Sequence, residues 1–229
     1  MRQIRFVLCR PSHPGNIGAA ARAMKTMGFS DLRLVAPERF PAKEADWMAT
    51  NAGDVLSSAV VHESLFDAIK DCTASLAMSA RGREWSPQVL DVRTAAGRAT
   101  QIDGPVAFVF GSETAGLTNE EMFACQYLVH IPASREFSSL NLAQAVQVVA
   151  YELHMCLDVA VPFSRAEKLA TVEDIEGLYA HLEEAAVASG FMTPASRLRE
   201  RWRRLFSRVP ALEREEVNIL RGLLKALLK

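Results

Sequence analysis

Cysteine is scarce and scattered in this chain. Cys9, Cys72, Cys125 and Cys156 form no CxxC pair and stand at no Cys/His spacing that would suit zinc. That excludes a disulfide-stapled scaffold and a zinc module, and the four read as reduced thiols of a cytoplasmic protein. Long apolar runs are missing too. The longest, Ala143 to Val161, is broken by Gln147, Glu152, His154 and Asp158, and the opening MRQIRFVLC lacks the apolar core of a signal peptide. No membrane-spanning segment is expected. Excess charge of either sign is also absent. With 26 basic and 27 acidic residues the net charge is -1, which excludes a surface coated in positive charge and leaves only local patches to bind phosphates. The densest such patch is RLRERWRRLFSR, holding Arg197, Arg199, Arg201, Arg203, Arg204 and Arg208.

What is present is an ordinary globular composition, 49% hydrophobic and 23% charged, in a chain of 229 residues that suits one large domain or a domain with an appendage. Short apolar runs alternate with helical patterns, which predicts an α/β fold, a mostly parallel sheet covered by helices. The expected strands are Ile4 to Cys9, Leu32 to Val35, Val60 to His62, Ala74 to Met78, Val106 to Phe110 and Tyr127 to Ile131. After the first, Pro11 and Pro14 stop the pairing, and a helix is expected from Asn16 to Met27 with Gly28 as its C-terminal cap.

Three stretches carry chemistry. In HPGNIGAAARAMKTMGF, Ile17, Ala20, Ala21, Met24 and Met27 form an apolar stripe, and Arg22 lies off it with Gly18, Lys25 and Thr26. A helix start favours anions, so Arg22 reads either as a solvated surface arginine or as an anion ligand. In FVFGSETAGLTNEE a buried strand ends at Gly111, Thr118 and Glu121 form a capping box, and Glu113 stands between glycines where parallel sheets place their ligands. In REFSSLNLAQAVQVVAYEL, Asn141, Gln144 and Gln147 add an amide stripe to an apolar helix face, either bonded within the core or packed on another subunit.

A dinucleotide-binding oxidoreductase competes for the first stretch, since a strand, glycine turn and helix are followed by Glu38 at the spacing of a ribose-binding acid. PGNIGAAA, however, lacks the G-x-G pair that lets a pyrophosphate approach, and that reading gives the other stretches no work. A non-catalytic RNA- or protein-binding module would explain the arginines and the amide stripe but not three strand-end turns.

Together the stretches resemble the three motifs of the SpoU/TrmH-type 2'-O-ribose RNA methyltransferases of the SPOUT superfamily. Asn16-x-Gly18-x-x-x-Arg22 is similar to the first motif, Gly111-x-Glu113-x-x-Gly116-Leu117 to the second and Ser139-Leu140-Asn141-Leu142-Ala143 to the third. The likeness covers about the first 160 residues, and 161–229 resemble the helical extension of the TrmJ-like subgroup, which methylates tRNA in the anticodon loop, here expected at nucleotide 32. By that resemblance the fold ends in a deep trefoil knot, against the general rule on threading.

The resemblance further implies S-adenosylmethionine held by Ser79, Ala80, Arg81, Gly111, Ser112, Glu113, Gly116, Ile131, Ser139 and Leu140. Arg22, Asn16, Glu113, Ser139 and Asn141 are the expected catalytic set, and Arg22, Lys25, Arg197, Arg201 and Arg204 the expected RNA contacts. Gly18 would let the RNA backbone approach, while Arg22 would stabilise the 2'-oxygen and clamp a phosphate, because guanidinium groups do not serve as bases in proteins. His13 reads as a loop residue. A homodimer is expected, with no metal. Where the subgroup reads G-R-E with another arginine close by, this chain has Ser112 and Thr114, a change expected to alter RNA affinity or target choice.

Overall fold

The structure, a computed structural model, describes residues 3–80, 87–134, 136–157, 168–192, 197–209 and 212–228. Among these described residues seven strands, β1 (Ile4–Cys9), β2 (Asp31–Val35), β3 (Val60–His62), β4 (Ala74–Met78), β5 (Gln88–Asp91), β6 (Val106–Phe110) and β7 (Tyr127–His130), form one sheet in the order β3-β2-β1-β6-β4-β7-β5. Every pairing is parallel. Both faces are covered, so the central strands read as continuous apolar runs whose alternate residues enter opposite cores. In β1, Ile4, Phe6 and Leu8 pack into one core while Val7 and Cys9 pack into the other.

The first core is roofed by α1 (Pro14–Thr26), α2 (Lys43–Ala49), α3 (Gly53–Ser57), α5 (Val92–Ala99) and α7 (Leu142–Leu157). The second lies under α4 (Leu65–Ile69) and α6 (Asn119–Phe123), joined by Val172 at the start of α8 (Val172–Ala188). With α9 (Leu198–Phe206) and α10 (Arg214–Leu227), α8 builds a smaller core of its own around Ile175, Leu178, Tyr179 and Val217. The expected boundary at 160 lies outside the described residues.

The expected strands are all present, two of them with ends displaced by one residue. β5 is an addition: of Gln88, Val89, Leu90 and Asp91 only Leu90 is buried, so this edge strand lacks an apolar period. Pro14 opens α1, where a missing N–H costs nothing, and the helix closes in a Schellman motif. Gly28 N–H bonds Lys25 O and Phe29 N–H bonds Met24 O, with Gly28 at φ 83°. The Thr118/Glu121 capping box opens α6 as expected.

All four cysteines are free, and burial pushes the Cys72 and Cys125 thiols up to about 12. Among the described residues no helix is long and apolar enough to cross a membrane.

Candidate active site

Beyond β6 the chain folds back on itself. Gly116 N–H donates to Ser112 O at 2.9 Å, and the Ser112 hydroxyl accepts Ala115 N–H at 3.3 Å. A Cβ on Gly111 would lie 2.1 Å from Gly116 C, and Gly116 has φ 70°, so both ends of this hook require glycine. Ser112 thereby has a local task, closing the turn. Leu117 anchors the hook in the core and α6 follows.

The hook walls a cavity together with Ser79 and Ala80 beyond β4, Ile131 beyond β7, and Ser139 and Leu140 before α7. Three adjacent strands thus send their carboxyl-end loops to one place, where parallel sheets bind ligands. Nine of the ten expected cofactor residues line this cavity: Ser79, Ala80, Gly111, Ser112, Glu113, Gly116, Ile131, Ser139 and Leu140. The tenth, Arg81, lies outside the described residues.

Glu113 ties the hook to the turn before α1. Its carboxylate accepts Ser12 N–H and Ser12 Oγ at 2.9 Å each, His13 N–H at 3.3 Å and Asn16 Nδ2 at 2.7 Å. Asn16 Oδ1 in turn accepts Asn141 Nδ2 at 3.0 Å, while Asn141 Oδ1 accepts Ala143 N–H at the start of α7. One network therefore joins all three motifs. Burial raises the Glu113 carboxyl, but the Ser12 N–H, the Asn16 amide and the Ser12 hydroxyl outweigh it and bring it down to about 2.

Glu113 therefore favours folding fully above pH 4.5, its ordinary value, and loses that contribution as pH falls toward 2. Urea titrations of wild type and Glu113→Gln should differ most above that window and converge within it.

Arg22 stands apart. It is exposed, does not line the cavity, and among the described residues makes one long bond, Nη1 to Thr50 Oγ1 at 3.4 Å. Six residues beyond Asn16, it lies about 240° around α1 and roughly 9 Å along it. Gly18 corrects an expectation: it is buried, and a Cβ there would meet Ala45 O at 2.0 Å. Its bareness admits the backbone of α2, not RNA. Lys25 is engaged by Asp54 Oδ1 at 2.7 Å and Asn51 O at 2.8 Å. The amide stripe is not sealed in the core of one chain, since Asn141 and Gln144 are exposed and bond each other through Asn141 N–H and Gln144 Oε1 at 3.3 Å.

A larger cavity, about 1000 Å³, lies between α9 and the α4–α6 side of the sheet. Size alone would place the site there. Its walls mix Arg197, Arg199 and Arg201 with Glu63, Glu120 and Glu200, and it holds none of the network, so the smaller cavity is the chemical one. Of the arginine cluster, Arg197, Arg199, Arg201 and Arg208 are exposed and Arg204 is half-buried. Arg203 is structural: it pairs with Glu176 at 2.6 Å, donates to Phe123 O at 2.8 Å and lies over the Tyr179 ring. Sequence reading passed over Ser12, since a serine among prolines signals a turn and not a carboxylate ligand 101 residues away.

Sheet order, strand-end cavity and motif network define an α/β protein whose ligand site is built from the loops after β4, β6 and β7. Residues 3–151 match the SpoU rRNA methylase family, and residues 173–229 match the C-terminal domain of the tRNA methyltransferase TrmJ. The chain belongs to the SpoU methylase family. It is 45% identical to the tRNA (cytidine/uridine/adenosine-2'-O-)-methyltransferase TrmJ of Pseudomonas aeruginosa, over 97% of this chain and 92% of that protein. It is 42% identical to the tRNA (cytidine/uridine-2'-O-)-methyltransferase TrmJ of Escherichia coli, over 99% and 96%. The crystal structure of TrmJ from Z. mobilis superposes with a TM-score of 0.86 at 34% identity, covering 98% of this chain and 99% of that one.

The cavity fits the methyl donor that this family uses. Met78, Ile131, Leu140 and Leu142 offer apolar walls to an adenine, and Ser79, Ser112 and Ser139 offer hydroxyls.

Proposed function

We propose that this chain transfers a methyl group from S-adenosylmethionine to a ribose 2'-hydroxyl of tRNA, in the anticodon loop at nucleotide 32. The observation that carries the reading is the network running from Ser12 and His13 through Glu113 and Asn16 to Asn141, which joins three motif segments around one cavity. It also disfavours the dinucleotide alternative. In that fold the N–H groups before the first helix hold a pyrophosphate, whereas here those of Ser12 and His13 hold Glu113.

S-adenosylmethionine, when bound, would supply an electrophilic methyl on a sulfonium, the neutral thioether S-adenosylhomocysteine being the leaving group. The hook and the loops after β4 and β7 orient it and exclude water. Arg22 stabilises negative charge on the attacking 2'-oxygen and holds the neighbouring phosphate, and the hydroxyl proton passes to phosphate or water. Glu113 and Asn141 act by positioning. Four donors already engage the Glu113 carboxylate, which suits it poorly for taking a proton.

The knot belongs to the same reading. β7 lies between β4 and β5, both of which precede it, the order that threading β7 and α7 through a loop would produce. So does a homodimer: Arg22 is exposed and does not line its own chain's cavity, and α7 exposes Gln144, Tyr151 and Met155 along one face. Residues 1–160 form the methyltransferase domain and 161–229 a helical extension that binds RNA or stabilises the dimer, and a tRNA substrate implies a cytoplasmic protein.

Nucleoside mass spectrometry of tRNA from cells with and without the gene tests the function; unchanged 2'-O-methylnucleosides would sink it. For the extension, reversing Arg197, Arg199 and Arg201 to glutamate should weaken tRNA binding. It should also flatten the logarithmic salt slope by about 0.7–0.9 for each phosphate no longer neutralised, with S-adenosylhomocysteine affinity unchanged.

A further inference from the structure

The turn before α1 holds the hook at a second point. Arg10 leaves β1 in the left-handed region, with φ 47° and its N–H bonded to Val35 O at 2.8 Å, a conformation uncommon for a side chain of its size. Its guanidinium grips Glu121 through both terminal nitrogens, Nη1 to Oε1 and Nη2 to Oε2 at 2.9 Å, and Nη2 also reaches Gly116 O at 3.3 Å. The Glu121 side chain is nearly buried, and its Oε2 accepts Thr118 N–H at 2.8 Å in the capping box. The closing residue of the hook is therefore held from both sides, its N–H by Ser112 O and its carbonyl by Arg10.

We propose that Arg10 and Glu121 form a positioning strut that sets the shape of the methyl-donor cavity and hence the affinity for the donor. The inference rests on the methyltransferase reading and adds a residue outside the three motifs. A forked arginine–carboxylate pair is stronger and more directional than a single neutral hydrogen bond. Breaking it leaves the Glu121 carboxylate short of a partner and frees Gly116 O, so the wall formed by Gly111 to Leu117 loses its fixed position. Glu113 holds the tip of the hook and the strut holds its exit.

Glu121→Gln is the informative variant. Glutamine still serves in a capping box, so α6 keeps its cap while Arg10 loses the charge it docks on. Full-length wild type, Arg10→Ala, Glu121→Gln, the double variant and Arg10→Lys would be titrated calorimetrically with S-adenosylhomocysteine, beside steady-state KM values for donor and tRNA. Each single variant should bind S-adenosylhomocysteine about tenfold more weakly, and the double variant no more weakly than Arg10→Ala, since both remove one interaction. Arg10→Lys should recover part of the loss, and donor KM should rise while tRNA KM does not. Donor affinity within about twofold of wild type in Glu121→Gln, or additive losses in the double variant, would overturn the strut. A rise confined to tRNA KM would overturn it too, making Arg10 an RNA contact. If wild type itself failed to bind S-adenosylhomocysteine, the methyltransferase reading would fall instead. Should Arg10→Ala not fold, Glu121→Gln decides alone.

Discussion

Arg22→Ala is expected to fold and to bind S-adenosylhomocysteine as wild type does, yet to lose single-turnover methylation by about 10²–10³-fold, ~2.7–4 kcal/mol of transition-state stabilisation. Folding is spared because the side chain is exposed and, among the described residues, gives up a single long bond to Thr50. Donor binding is spared because Arg22 does not line the cavity. The rate falls because nothing else proposed at the acceptor offers a planar, forked cation able to hold a phosphate and the 2'-oxygen together. Arg22→Lys should recover little, since an ammonium keeps the charge and loses the fork. Single-turnover rates at saturating tRNA, measured beside donor titrations, decide the matter. Normal turnover in the alanine variant, or donor affinity falling with the rate, would remove Arg22 from its role at the acceptor.

The second large effect concerns Gly111. Gly111→Ala should abolish measurable donor binding, a loss of at least about 100-fold, and destabilise the fold by about 1–3 kcal/mol. The added carbon would lie 2.1 Å from Gly116 C and 2.2 Å from Leu117 N, both backbone atoms that cannot swing aside as a side chain could. Relief requires pulling the hook open, against Leu117 in the core and Arg10 on Gly116 O. Gly97→Ala is the control. Nothing lies within 4 Å of its Cβ position in α5, so it should be neutral or stabilise by roughly 0.5–1 kcal/mol through helix propensity. Calorimetry with S-adenosylhomocysteine and urea titration of both variants separate the loss of a site from a loss of stability. Donor binding retained in Gly111→Ala would refute the close-packed hook.

Much of this architecture was readable from residue patterns because its causes are local. Buried parallel strands must be apolar throughout, proline and glycine mark the limits of α1, and Thr118 with Glu121 announces α6. β5 escaped because a single buried leucine carries no period. Gly18 was misread for a related reason: a glycine shows that something approaches closely, not whether it is RNA or the carbonyl of Ala45. The arginine cluster looked uniform, yet Arg203 has its charge matched by Glu176, which lies 27 residues away on another helix. Within the candidate site the motif residues could be named, but the bonds among them could not. Ser12 to Glu113 and Asn16 to Asn141 span 101 and 125 residues, and only the folded sheet brings their ends together.

The place of β7 in the sheet governs when a newly made molecule can work. A chain still on the ribosome with residues through Phe123 exposed has the hook and the loop beyond β4, but no wall from Ile131, Ser139 and Leu140 and no Asn141 to complete the link with Asn16. β7 then has to take its position between β4 and β5, strands already synthesised. The cavity is therefore completed only after β7 and the segment beyond it have been made. A fragment cut short before Tyr127 should be inert, without a weak activity of its own, and should neither sequester the methyl donor nor compete with finished enzyme for tRNA.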